Sequence, residues 1–75
     1  MRLTELTADL QALRENLADE LLAINHYEEQ TFSLSDEDAK EAVQRIVDEK
    51  KDHVARLLRL IQKLDVKQRE KIERA

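Results

Sequence analysis

Leu3, Leu6, Leu10, Leu13, Leu17, Leu21 and Ile24 recur at steps of three and four residues, and the same stepping reaches Glu28. That spacing places apolar side chains on one face of an α-helix. It predicts a first helix from about Thr4 to Phe32, with Thr4 as N-cap and Glu5 in the first turn. A second stripe runs through Ala39, Val43, Ile46, Val47, Val54, Leu57, Leu60, Ile61 and Leu64. It predicts a second helix over about residues 36–73, closed by basic residues (Lys67, Arg69, Lys71, Arg74) that suit the negative end of the helix dipole.

Between the stripes the chain reads Thr-Phe-Ser-Leu-Ser-Asp-Glu-Asp. Ser35, followed by Asp38 three residues later, resembles a capping box. Asp36, Glu37 and Asp38 complement the positive start of the next helix. A short turn at residues 33–35 joins antiparallel neighbours. The expected fold is all-α: a two-helix antiparallel hairpin over residues 1–75.

Folding near Leu34 sets residues equidistant from the turn at one height. Glu20 is then level with about Asp48 to Lys50, Leu13 with about Ala55, and Thr4 with about Leu64. The last residues of the second helix overhang the first. Each stripe covers about a third of its helix, more than one partner helix can bury. A chain this short gains little from a single core. Two hairpins pairing as a homodimer, or as a higher homo-oligomer, would close a four-helix bundle.

Composition supports long helices and narrows the chemistry. Gly, Pro, Cys and Trp are all absent, so no residue interrupts an element. Any metal would need Glu, Asp and His ligands. The net charge of −4 at pH 7 argues against nucleic acid and anionic membranes as partners. Without a leader or a spanning segment in view, the default location is cytoplasmic. Eight acids and no Lys or Arg lie between Glu15 and Ala39, whereas nine bases and four acids lie from Lys50 onward. The acidic stretch serves either as solvated helix faces or as a region that attracts cations.

Several polar residues fall on the stripes. Glu20 lies among Leu13, Leu17, Ile24 and Tyr27; Lys50 lies near the centre of the second stripe; His53 flanks that centre, and Glu49 lies at its edge. Buried ionisable groups need a partner or a metal. Tyr27 faces inward and is expected to bond a core carboxylate. His26 points to the edge as a surface or interface residue. Glu28 and Glu29 have Lys40 across the turn as their simple partner.

The stretch Asp19-Glu20-Leu21-Leu22-Ala23-Ile24-Asn25-His26-Tyr27 resembles the first iron-binding helix of the ferritin-like superfamily. Val47-Asp48-Glu49-Lys50-Lys51-Asp52-His53 resembles the second, which in the family carries Glu-x-x-His. The short two-helix form is most similar to encapsulated ferritins. The resemblance, over about residues 10–65, implies a dimer of hairpins around two irons, a ferroxidase activity and a protein-shell host. It makes Glu20 and His53 metal ligands. Lys50 departs from the pattern by standing where the family has Glu, so Glu49, one residue earlier, is the substitute third ligand.

Two functional readings follow. In one, the chain binds and oxidises iron through Glu20, Glu49 and His53. In the other it is a metal-free structural or interaction module. Two Glu20 and two Lys50 in a dimer sum to zero charge without a metal, as four Glu and two divalent ions would with one. No nucleophile constellation or phosphate loop is present.

Overall fold

The computed structural model describes all residues, Met1–Ala75. The fold is all-helical: α1 Leu3–Thr31, α2 Glu37–Leu64 and α3 Val66–Arg74. α1 and α2 pack side by side and antiparallel, and α3 touches α2 but not α1. The molecule measures 50 × 26 × 14 Å. The shortest extent is scarcely more than one helix with its side chains, about 10–12 Å. The hairpin is therefore a single layer. Its radius of gyration is 15.9 Å, against about 11 Å for a compact domain of this length.

The seam between α1 and α2 follows a seven-residue repeat. Leu6, Leu10, Leu13, Leu17, Glu20, Ile24 and Tyr27 face α2, while Val43, Val47, Lys50, Val54, Leu57, Ile61 and Leu64 face α1; all are buried or half-buried. Only Leu10, Ile24, Val47 and Ile61 are fully buried. Large apolar side chains remain open to solvent, among them Leu21, Leu58 and Leu60. The stripes are wider than one seam can cover, as their width along the sequence implies.

Four local expectations are corrected. First, α1 starts one residue earlier than expected, with Arg2 rather than Thr4 as its cap residue. The Arg2 backbone N–H donates to Glu5 Oε2 at 3.5 Å. Second, α2 is capped by Asp36 rather than Ser35. Asp36 Oδ2 accepts from the Ala39 backbone N–H at 2.8 Å, so the helix starts at Glu37.

Third, the connector is longer than three residues. Phe32–Asp36 is non-helical, with the Ser33 and Leu34 N–H groups donating to the Gln30 carbonyl. The level of the pairing is nevertheless the expected one, with Glu20 against Lys50, and Arg14 reaches along the hairpin to Asp65.

Fourth, the second helix is not continuous to residue 73. It breaks at Asp65, whose backbone turns extended (φ −111°, ψ 90°). Asp65 closes α2 through its N–H to the Ile61 carbonyl. It opens α3 by accepting from the Gln68 N–H at 3.0 Å. Its other oxygen takes Arg14 Nη2 at 2.9 Å. Neither Gly nor Pro is involved; an aspartate serves as the interrupter because its short carboxylate competes for backbone N–H groups. The basic tail is thus a separate nine-residue helix with no partner on α1.

Candidate functional site

Near the middle of the hairpin three ionisable side chains meet inside the seam. Glu20 sits on α1 one heptad after Leu13 and one before Tyr27, a position the stripe reserves for apolar groups. Lys50 holds the equivalent place on α2 between Val43 and Leu57. Packing of the surrounding leucines and valines brings both into one low-dielectric pocket of the seam.

Lys50 Nζ lies 3.3 Å from Glu20 Oε2 and donates to Oε1 at 3.4 Å. His53 Nδ1 lies 3.4 Å from the same Oε1. The side chains of Glu20 and Lys50 are 19% and 27% exposed, and that of His53 is 45% exposed. Glu20 Oε2 is shielded from solvent and makes no hydrogen bond. Its contact with the ammonium is off the hydrogen-bond angle, so Oε2 is balanced by charge alone. The carboxylate is thus held from inside by Lys50 and from the rim by His53.

The rim is an open recess of about 360 Å³, lined by Asn16, Asp19 and Glu20 of α1 and by His53, Arg56 and Leu57 of α2. It lies on one broad face of the hairpin. Glu20 therefore has one oxygen sunk in the seam and one turned toward that face.

Glu20, Lys50 and His53 are brought together as the sequence spacing implies. Glu49 is not: its side chain is exposed and makes no contact with Glu20 or His53. No three His, Asp or Glu residues of the chain converge as a cation cage. Within one chain this donor set does not fit an iron site. The nearest cation to Glu20 is the ammonium of Lys50, which contacts both oxygens that a metal would use. A protonated amine has no lone pair for a metal.

Tyr27 is half-buried, but its hydroxyl makes no hydrogen bond in the chain, in contrast to the expected bond to a core carboxylate. Its ring packs against His26 at a centroid distance of 5.9 Å. His26 is exposed and shares a hydrogen bond with Gln30 Nε2 at 3.0 Å. Lys40 pairs with Glu37 on its own helix at 3.5 Å rather than with Glu28 or Glu29.

Sequence spacing missed the second polar link between the helices, Arg14 to Asp65. Along the sequence Asp65 falls inside the continuous helix expected over residues 36–73. The signal available was Asp65 followed three residues later by Gln68, a capping pattern inside an otherwise helical run. Hydrogen bonds from the Gln68 backbone, then the Arg14 guanidinium, hold the Asp65 carboxyl below its ordinary range.

No protein-family model matches the chain, and neither the curated proteins nor the solved structures contain a match. No helix is long and apolar enough to cross a membrane.

Proposed function

We propose that this chain is a self-associating helical half-bundle with a structural or interaction role, in which the Glu20–Lys50 ion pair takes the place a metal centre holds in ferritin-like bundles. The observation that carries this reading is the contact of Lys50 Nζ with both carboxylate oxygens of Glu20, at 3.3 and 3.4 Å. A buried carboxylate needs a counter-charge. Lys50 supplies it from within the same chain, without a soluble ion.

Self-association is supported by the single-layer shape and by the four-residue core. A layer 14 Å thick leaves both broad faces against water, including the apolar side chains of Leu58 and Leu60. Pairing two layers is the simplest way to bury them. The expected product is a homodimer built as a four-helix bundle. Its role follows from that assembly: presenting the acidic connector and the basic α3 as fixed surfaces.

A second reading keeps the family chemistry and is favoured by the 3.4 Å approach of His53 to Glu20 at an open recess. In it, iron displaces Lys50 and is held by Glu20 and His53 of two copies, with Glu49 swinging inward, and the assembly oxidises ferrous iron. Sedimentation equilibrium together with calorimetric titration of ferrous iron separates the two. The half-bundle reading expects dimers that take up no stoichiometric iron. Two irons bound tightly per dimer would replace it with the second reading.

A further inference from the structure

We propose that the notch between α2 and α3 binds a small polyvalent oxyanion, a di- or triphosphate in class, through Arg59, Lys63 and Arg69. The site uses residues of one chain only and does not rest on self-association or on the Glu20 recess.

The notch encloses about 590 Å³ and is lined by Ala55, Leu58, Arg59, Gln62 and Lys63 of α2 and by Arg69 of α3. Positions 55, 58, 59 and 62 are spaced by three and four, so they share one face of α2. The break at Asp65 turns the chain so that Arg69 comes back to that face. Arg69 is half-buried, whereas the other bases of α3 are exposed. Three cationic side chains thus line one notch with no acid in its walls.

The rest of the chain does not neutralise them, although it carries 17 acids to 13 bases. Arg59 and Lys63 have no ion-pair partner, and Arg69 has only Glu73 of its own helix, at 3.9 Å. Arg59 and Lys63 stand four residues apart, a spacing at which like charges destabilise a helix. Arg69 adds a third like charge from across the notch. A bound anion would offset this repulsion. The start of α3 is not the binder, because Asp65 Oδ1 already takes the Gln68 N–H at 3.0 Å.

The class of ligand follows from the donors. Two guanidinium forks match the paired oxygens of a phosphate, and Lys63 adds a point charge. Each phosphoryl group brings about −1.5 to −2 charge near neutral pH, so two linked groups balance three cations better than one carboxylate does. Ala55 and Leu58 form an apolar wall that keeps water from one side of the anion and strengthens its attraction. The volume is that of a small-ligand site, about 300–1,000 Å³. A long polyanion would run out of the notch onto the exposed acids Asp48, Asp52, Glu70 and Glu73. A small one meets only the notch, since charges beyond about 8–10 Å are screened.

The arrangement depends on Asp65, whose bond to Gln68 and ion pair to Arg14 at 2.9 Å fix α3 against the hairpin. Asp65→Ala removes a negative charge, so unspecific attraction of anions would rise. It also frees α3, so a built site would lose affinity. The two effects have opposite sign.

Calorimetric titration of the full chain with inorganic pyrophosphate and tripolyphosphate, at about 0.1 M ionic strength, reads the site. One anion per chain should bind saturably, and backbone amide chemical shifts should move at residues 55–69. Arg59→Gln and Arg69→Gln should each weaken binding about tenfold or more, the scale of a charge-assisted hydrogen bond. Arg56→Gln, which removes an exposed base of the Glu20 recess, should leave binding unchanged. Asp65→Ala should weaken it although the protein becomes less acidic. Absence of saturable binding, tighter binding by Asp65→Ala, or an equal loss with Arg56→Gln would overturn the proposal. Binding of an oligoglutamate peptide, or of phosphatidylserine vesicles, without binding of the inorganic anions would overturn it in favour of an acidic protein segment or a membrane surface.

Discussion

Lys50 Nζ stands 3.3 Å from Glu20 Oε2 and 3.4 Å from Oε1, joining the centres of the two long helices across the seam. Ion pairs inside an apolar seam are rarely the most stabilising choice, because desolvation offsets most of the attraction. They specify instead which positions must meet. Sliding one helix by a heptad would put Glu20 opposite Val43 or Leu57 and strand both charges among aliphatic side chains. The pair therefore sets register, in a hairpin whose leucine repeat would otherwise tolerate slippage.

Removing one member of this pair should cost more than removing both. Lys50→Met leaves the Glu20 carboxylate without its counter-charge, and a loss of about 1–3 kcal/mol is expected. The double variant Glu20→Leu/Lys50→Met should recover most of it. Chemical denaturation of the parent, the single variants Lys50→Met and Glu20→Leu, and the double variant at neutral pH gives the coupling energy. A coupling indistinguishable from zero would show that the contact does not fix the register.

Leu60→Glu should weaken the proposed dimer, because Leu60 is 44% exposed and contributes little to the core of its own chain. A shift of the dissociation constant by at least tenfold is expected, on the scale of about 1.4 kcal/mol per factor of ten. Leu22→Glu is the control. Leu22 is 66% exposed and points away from the seam, and its variant should remain dimeric. Sedimentation velocity of both variants over a concentration series checks this.

Asp65→Ala should detach α3 without unfolding the hairpin. It removes the bond to the Gln68 N–H and the ion pair to Arg14 together. Hydrogen exchange at Val66–Arg74 should accelerate while exchange in α1 and α2 stays slow. Acid should act in the same direction. The Asp65 carboxyl is depressed in the folded chain from an ordinary value of 3.8, through the Gln68 backbone first and then Arg14. Its contribution is present above 3.8 and is lost as pH falls below it. Protection of α3 should therefore drop in that window, ahead of the core.

Asp36→Ala should lower stability by about 1 kcal/mol, the usual cost of an N-cap. Ser35→Ala should be nearly neutral, since the Ala39 N–H is taken by Asp36 Oδ2. Thermal melts of both variants separate the two capping assignments.

The apolar repeat made the hairpin legible in the sequence, and it placed Glu20, Lys50 and His53 together, because helical periodicity is a strong and redundant signal. The length of the connector was not legible. It depended on whether the Ser35 hydroxyl or the Asp36 carboxylate capped the second helix, and Asp36 Oδ2 takes the Ala39 N–H. The break at Asp65 was missed for a similar reason. A lone aspartate in a charged run carries almost no propensity signal, and its effect depends on Arg14, fifty-one positions away. Tyr27 is half-buried on the stripe, and its hydroxyl has no partner within the chain. Periodicity gives the face of a residue, not the donor or acceptor waiting there.

The central claim is that Lys50 already fills the electrostatic place of a metal, and the most direct test is the thermal shift produced by ferrous iron or another divalent cation on the parent chain and on Lys50→Glu. The substitution restores Glu-x-x-His spacing to His53 and gives a dimer four clustered carboxylates. The apo variant should be less stable at neutral pH by a few kcal/mol, and added metal should raise its melting temperature by mass action. The parent should show no shift under the same conditions. A parent that shifts strongly with metal, and a variant that shifts no further, would contradict the account.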